Sequence, residues 1–283
     1  MKASKAFTLV ELLTVIAIIG ALLSILLPSL SRAREEAKRT VCASNEHGIG
    51  QAFYVYAQVV PNFFPAISPV FDAVSGNMQI FHPDDRTTSP STASLPSPTV
   101  DMWAVVRMRY CVPKQFICPS TPDAPDPGQD TTVYFDFFSA RNLSYAYQYQ
   151  HDPDCTIIGA ASEPTFPVLA DANPYIKGGL GGGSPSLASD RNSAGRGNST
   201  NHLNREGQNI LFQDGHVDFE RGPDVGLPGR AAGVQYSRGR DNIYSVHSWN
   251  APVDPGTDKP FADPDGSPGT CNLGDKSDAC LVP

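Results

Sequence analysis

The feature that most constrains this chain is a long apolar run close to its N-terminus. From Phe7 to Leu27 the sequence is apolar apart from Glu11 and a few Thr, Gly and Ser residues. As an α-helix this run is ~30 Å long, which matches the hydrocarbon core of a bilayer. It is too long for the apolar part of a secretory signal, and no A-x-A cleavage site follows it. The run therefore predicts a membrane-spanning helix.

Glu11 does not fit an ordinary membrane anchor. A carboxylate within the hydrocarbon costs a few kcal/mol unless it is paired, so such a residue is a functional candidate. The residues around it, KAFTLVELL from Lys5 to Leu13, resemble the class III signal of type IV pilins and type II secretion pseudopilins. In that family prepilin peptidase cuts before the Phe and methylates its new amino group. The resemblance implies processing between Ala6 and Phe7, and an assembly role for Glu11 together with Phe7.

The same resemblance implies how the N-terminal region is divided. Residues 1–6 are the leader, 7–28 the transmembrane or filament-core helix, and 29–60 its amphipathic half, with Pro28 at a position where the family favours proline. Ala6 departs from the family's usual glycine before the cut; alanine is small enough to be tolerated there, and slower cleavage is left open. The remaining residues, 61–283, form a pilin-like globular domain.

The location of the chain also follows from the resemblance. It implies a single pass through the lipid of a bacterial inner membrane, a periplasmic C-terminal domain, and a place in a filament or at the cell surface after assembly. Prepilin peptidase and other pilin-like subunits are the expected partners. The basic residues after the span would by themselves favour the opposite orientation. The net charge of −8 argues against a nucleic-acid partner.

Apolar residues at helical spacing extend the helix well beyond the membrane. They predict one helix from about Thr8 to about Gln58, ended by Pro61. The residues expected to form its apolar stripe are Leu30, Ala33, Ala37, Val41, Ile49, Ala52, Phe53 and Tyr56. Strand patterns follow at 142–150 and 165–174. With 24 Gly and 26 Pro, the fold class expected is α+β: a long helix packed on a small antiparallel sheet with long irregular loops.

The sequence GQNILFQDGHVDFE, residues 207–220, predicts a hairpin. Asp214-Gly215 is a type I′ turn signal, which would pair Gln213 with His216 and Phe212 with Val217. This segment also resembles the C-terminal H-x9-DG motif of some pilin-like proteins, with His202 as the matching histidine. The gap from His202 to Asp214 is two residues longer than in that motif.

Two histidines and an aspartate raise the question of a metal or catalytic site. No G-x-S-x-G or H-E-x-x-H motif is present, and Asp214-Gly215 is already explained by the turn. The sequence therefore favours a structural role for His202, Asp214, Gly215 and His216. No catalytic residue, metal ligand or enzymatic activity is expected.

The six cysteines lack any C-x-x-C pair, and their even number suits disulfides in an oxidising compartment. Cys271 and Cys280 bracket a short loop and are expected to pair. A second expected disulfide joins Cys42 on the helix to Cys118. Acidic residues near the C-terminus leave a Ca²⁺ site open by resemblance to some pseudopilins, although the later Glu of an EF-hand loop is missing. No other cofactor is expected.

Three functions remain open from the sequence. The first is a structural pilin-like (pseudopilin) subunit of a type II secretion or type IV pilus-like filament. The second is a minor pseudopilin or surface adhesin that binds a ligand through its loops. The third is a membrane-tethered hydrolase using His202, Asp214 and His216, which ranks last because no nucleophile motif accompanies these residues.

The signal predicts the mature N-terminus. In cells with active prepilin peptidase, we expect membrane-extracted protein to begin at N-methyl-Phe7, without the leader. N-terminal peptide mass spectrometry measures this. A chain that keeps Met1 in such cells would contradict the assignment of the Ala6–Phe7 cleavage site.

Overall fold

The computed structural model describes residues 9–60, 63–66, 86–87, 98–148, 163–172, 176–177, 186–187, 198–228, 240–244 and 281–282. The predictions made for Ala6, Phe7, the Cys271–Cys280 pair and the acidic tail lie outside these residues. The sequence expectations for the long helix, the strands and the turn lie within them.

The first element is a helix, α1, from Leu9 to Val59, which continues through Pro28. It confirms the long helix expected from the sequence. The expected apolar stripe, however, is wrong in its first half: Leu30, Ala33, Ala37 and Val41 are exposed, and the first buried residue of α1 is Cys42. The reason is that the helix overhangs the sheet, and the polar side chains of Glu35 and Arg39 make its first contacts with the rest of the domain.

A five-stranded antiparallel sheet lies against the second half of α1. Its strands are β1 (Tyr145–Gln148), β2 (Pro167–Asp171), β5 (Gln208–Phe212), β6 (Val217–Glu220) and β9 (Leu281–Val282). Their order across the sheet is β6-β5-β2-β1-β9. Two small ribbons pair β3 (Ile176–Lys177) with β4 (Ser186–Leu187) and β7 (Asp224–Pro228) with β8 (Arg240–Asn242). Helix α2 (Pro98–Arg107) and the 3₁₀ helices Pro113–Phe116, Ala140–Asn142 and Leu203–Arg205 complete the described elements. The α+β class is confirmed.

The contact between helix and sheet is close. Gly50 faces Leu211 on β5, where a Cβ would come within 2.8 Å of a Leu211 methyl. A larger residue would therefore require the Leu211 side chain or the helix to shift. Phe53 follows on the same face and packs against Tyr147 and Phe64, with ring centroids 5.0 and 5.8 Å apart. The core is thus built between the last turns of α1 and the central strands.

The β5–β6 hairpin differs from its sequence prediction by one residue of register. Leu211 pairs with Val217, not with Asp218, and the Phe212 amide donates to the His216 carbonyl. The loop therefore has three residues, Gln213 to Gly215. A type I′ turn needs positive φ at both central residues, but of this pair only Gly215 has it, at 91°. The Asp214 side chain instead accepts from the His216 amide.

The expected disulfide between Cys42 and Cys118 is present and ties α1 to the segment after the first 3₁₀ helix. The two Cα atoms are 5.2 Å apart, across a sequence separation of 76. On the chain-entropy model a loop of this size stabilises the fold by up to ~4 kcal/mol. Cys111, by contrast, is a buried free thiol, and burial raises its pKa to about 12.

Cysteine chemistry tests this arrangement. In the native, unreduced chain at pH 8, we expect the Cys42 and Cys118 peptides to remain linked. Cys111 should resist iodoacetamide until the chain is denatured, because the thiolate is the reactive form and little of it is present. Non-reducing peptide mapping, with alkylation before and after denaturation, measures both. Alkylation of Cys42 without reduction, or rapid labelling of native Cys111, would contradict the structure.

Candidate functional site: a buried polar network between helix and sheet

His202 lies at the centre of a buried polar network between α1 and the sheet. It immediately precedes the 3₁₀ helix Leu203–Arg205, and its side chain is fully buried. Its Nδ1 lies 3.0 Å from Oε1 of Glu35 on α1, and its Nε2 lies 3.0 Å from Oδ2 of Asp171 on β2. One imidazole therefore connects the helix to the middle of the sheet.

The charges in this triad support one another. Burial lowers the pKa of His202, but the hydrogen bonds and negative charges of Asp171 and Glu35 outweigh burial and raise it above its ordinary value. Burial raises the pKa of Glu35, but hydrogen bonds from His202, Ser120 and the Leu203 amide outweigh burial and lower it. Both shifts favour the charged forms, the imidazolium of His202 and the carboxylate of Glu35.

The Asp171 carboxylate accepts hydrogen bonds from separate segments of the chain. At the end of β2, it accepts from the Asn209 backbone amide of β5 at 2.8 Å and from the Asn201 side chain at 2.7 Å. Asn201 also donates to the Ser144 carbonyl just before β1, at 2.6 Å. These bonds satisfy the oxygens of a carboxylate that is wholly buried, which is the condition for keeping such a charge in a core.

The disulfide lies beside the triad. The sulfur atoms of Cys42 and Cys118, a carboxylate oxygen of Asp171 and a ring nitrogen of His202 all lie within 4.8 Å of one another. Among the described residues, these four form a group whose side chains could together ligate a metal ion. The four residues come from distant parts of the chain.

Glu46, one helical turn after Cys42, is the exception to this pattern of satisfied groups. It is fully buried, and neither carboxylate oxygen has a hydrogen-bond partner within the described part of the chain. Burial, together with the charge of Asp171, raises its pKa well above the ordinary value. Glu46 is therefore held in its protonated form more strongly than in the unfolded chain.

The residues that the sequence grouped with His202 lie elsewhere. Asp214 and His216 are both exposed at the hairpin turn, where they contact each other, and the His216 ring stacks on Phe212 with a centroid distance of 4.5 Å. The recorded partners of His202 are Glu35, Asp171 and Asn209, not Asp214. A shared site of His202, Asp214 and His216, which the hydrolase hypothesis required, is not among these contacts.

Sequence reasoning missed Glu35 and Asp171 as partners of His202, and it missed the buried Glu46 beside them. One signal was present, since Glu35, Cys42 and Glu46 recur at a spacing that places them on one side of a helix. Asp171 gave none, because it simply ends an apolar strand. All three residues of the triad are mostly or fully buried, so a substrate could reach them only if the domain opened. The arrangement favours a role in holding the helix.

The N-terminal half of α1 is a second functional surface. Its apolar part contains no buried residue and is long and apolar enough to cross a membrane. Glu11 lies on this exposed part, and Thr14 donates to its backbone carbonyl at 3.0 Å. The helix therefore presents an apolar surface that a water-soluble domain would not leave uncovered.

Comparison with known proteins addresses this N-terminal surface. Residues 1–27 match the family model of the prokaryotic N-terminal methylation motif. No curated protein and no solved structure matches the chain. The motif indicates a substrate of prepilin peptidase, of the type IV pilin and pseudopilin class. With the exposed apolar helix, it indicates a membrane-anchored protein with a single span.

The raised pKa of Glu46 predicts a pH-dependent stability. A folded-state pKa above the unfolded value of 4.5 gives a contribution that is complete below that pH and is lost as the pH rises toward the folded-state pKa. Glu46→Gln cannot ionise, so its stability relative to the wild type should rise as the pH rises from 4.5, until the pH passes the folded-state pKa of Glu46.

The measurement is the denaturant midpoint of the full chain in detergent, taken at intervals from pH 4.5 to pH 8. Glu36→Gln is the matched control, because Glu36 is an exposed carboxylate on the same helix. A gap between Glu46→Gln and the wild type that does not grow with pH would show that Glu46 titrates as an ordinary carboxylate.

Proposed function

We propose that this chain is a structural pilin-like subunit. Prepilin peptidase cuts it before Phe7, and it assembles with other such subunits into a type II secretion or type IV pilus-like filament. The observation that carries the proposal is the methylation motif on a helix whose apolar half is wholly exposed while its other half holds a folded domain.

The apolar surface of α1 must be covered both in the lone subunit and in the filament. Between Leu9 and Leu27 the large aliphatic side chains are exposed, several of them by more than half: Leu9, Val10, Leu12, Leu13, Ile16, Ile18, Leu22, Ile25, Leu26 and Leu27. In the lone subunit, lipid removes these side chains from water. In a filament the neighbouring helices take the place of lipid, so the same surface serves both states.

Glu11 would set the axial position of each subunit during assembly. Packed among apolar helices, a carboxylate is costly unless a cation or hydrogen-bond donors meet it. The methylated amino terminus of Phe7 on a neighbouring subunit is such a cation. One intermolecular ion pair per subunit would then fix the axial position of each incoming helix. Burying the pair adds little net affinity, but losing one partner of a buried pair costs ~3–5 kcal/mol.

The globular domain is firmly joined to its own helix. The Cys42–Cys118 disulfide and the His202 network both join α1 to the sheet. A disulfide also suits an oxidising compartment, which supports a periplasmic location for the domain. Since the triad is buried, the domain would follow its helix into the filament as one rigid body without performing chemistry.

Glu11→Ala tests the proposal. The substitution should leave membrane insertion and cleavage before Phe7 largely intact, because it makes the helix more apolar. It should abolish filament assembly, because the Phe7 amine of each neighbour is left buried without its anion. The assay confirms the N-terminus by mass spectrometry, then shears and sediments filaments from cells that express the assembly machinery.

Glu36→Ala is the control, since it removes an exposed carboxylate from the same helix beyond the apolar half and should assemble normally. A wild-type filament yield from Glu11→Ala would refute the proposed role of the ion pair. Loss of cleavage in that variant would instead place Glu11 in peptidase recognition.

A further inference from the structure

We propose that, when the Cys42–Cys118 disulfide is reduced, Cys42, Cys118, His202 and Asp171 bind one zinc ion in a tetrahedral site with two sulfur, one nitrogen and one oxygen ligand. The ligand atoms of these four residues already lie within 4.8 Å of one another, and all four residues are buried. Tetrahedral Zn²⁺ bonds of ~2.0–2.3 Å place ligand atoms roughly 3.3–3.8 Å apart. Small side-chain movements are enough to reach that geometry.

The surroundings of His202 match those of a metal-ligating histidine. Such histidines usually present one ring nitrogen to the metal and donate the other N–H to a carboxylate, which fixes the ring. Nδ1 of His202 is hydrogen-bonded to Glu35 at 3.0 Å, so Nε2, which lies 3.0 Å from Asp171 Oδ2, is the ring nitrogen left for the metal. Glu35 is the outer carboxylate of this arrangement, and its own oxygen is held by Ser120 and the Leu203 amide.

Asp171 is prepared as a ligand through one oxygen. Its Oδ1 accepts from the Asn201 side chain at 2.7 Å, and its Oδ2 accepts from the Asn209 amide at 2.8 Å. These donors hold the carboxylate in place, and Oδ2 lies 3.0 Å from His202 Nε2. The Asn209 side-chain amide lies 3.4 Å from Oδ2 and 3.2 Å from Nε2, and it would have to turn away from Nε2 for a metal ion to bind between the two atoms.

The donor set points to zinc among the common divalent ions. Two thiolates exclude the hard ions Mg²⁺ and Ca²⁺, which prefer oxygen ligands, and a mixed S₂NO tetrahedron is a geometry that Zn²⁺ accepts. The disulfide and the metal are mutually exclusive, since a disulfide has no thiolate to offer. The same four residues therefore have two alternative states that both link α1 to the sheet.

The conversion is balanced in electrons and protons. A phosphine reductant loses two electrons to the S–S bond and takes the oxygen of one water, and the two thiols form. Binding of Zn²⁺ then releases the two thiol protons and the Nε2 proton of His202. Two thiolates and one aspartate carboxylate surround the ion, and Glu35 accepts the remaining N–H of the ring.

The test uses the full-length chain in detergent micelles, reduced with a phosphine under anoxic conditions. Co²⁺ is the probe, because it takes zinc sites and gives visible bands typical of tetrahedral coordination together with a thiolate charge-transfer band. We expect one Co²⁺ per reduced chain, displaced by Zn²⁺, and no such bands from the disulfide-bonded chain. Reduced wild type that gives no thiolate charge-transfer band would overturn the proposal.

Substitutions separate this site from adventitious thiol binding. His202→Ala and Asp171→Asn should each weaken Co²⁺ binding more than ~100-fold, and Glu35→Gln by the 10–100-fold typical of an outer-shell partner. His216→Ala and Asp214→Asn are the matched controls, since they remove an exposed histidine and aspartate, and should leave binding unchanged. Cys111→Ser, which removes the buried free thiol, should also bind normally.

Unfolding on reduction is covered by the same series. If reduction unfolded the domain, exposed thiols would bind Co²⁺ equally well in the wild type, His202→Ala and Asp171→Asn. That equality overturns the proposal, whereas a dependence on both residues with far-UV circular dichroism unchanged supports it.

Discussion

The contact on which the rest of the structure depends is the imidazole of His202 between the carboxylates of Glu35 and Asp171. It joins a residue of the long helix, a residue of a central strand and the segment that leads into the hairpin. Each member satisfies the charge of another in a place where water is excluded. Truncating one member would leave a buried charge alone, which in comparable buried pairs costs ~3–5 kcal/mol. The three residues therefore depend on one another, and their network fixes the position of α1 on the sheet as well as stabilising the fold.

This constraint matters because the two halves of α1 have opposite surroundings. From Cys42 to Ala57 the helix is part of the core of the domain, whereas no residue of the described apolar part before Pro28 is buried. A force on the apolar half of α1, or a partner bound to it, can act on the domain only through the second half of the helix. The disulfide at Cys42 and the bond at Glu35 lie near the start of the packed region, so they take that force before the apolar contacts do.

Much of the architecture could be predicted from local patterns. Apolar periodicity located the C-terminal end of α1 to within a residue, with Gln58 expected and Val59 found, and strand-like runs located β1 and β2. The hairpin was located but its register was not, because the Asp-Gly signal does not reveal whether the aspartate takes positive φ; here its side chain binds the His216 amide and the loop gains a residue. The network around His202 was out of reach, because Glu35, Asp171 and Asn209 become neighbours only when α1, β2 and β5 have packed.

The need for a fixed register explains why a helix that lies on a sheet carries Glu35 and Cys42 where apolar residues would pack at lower cost. An aliphatic stripe is nearly uniform along its length, so a helix that uses one can shift by a turn at little cost. A salt-bridged glutamate and a cysteine with a fixed partner cannot shift, because one turn of displacement, 5.4 Å, would break both contacts. Buried polar groups that specify register rather than add stability are well attested in coiled coils. In this chain the register sets how far the apolar half of the helix projects beyond the domain, which is the dimension that a helical assembly must keep equal in every subunit.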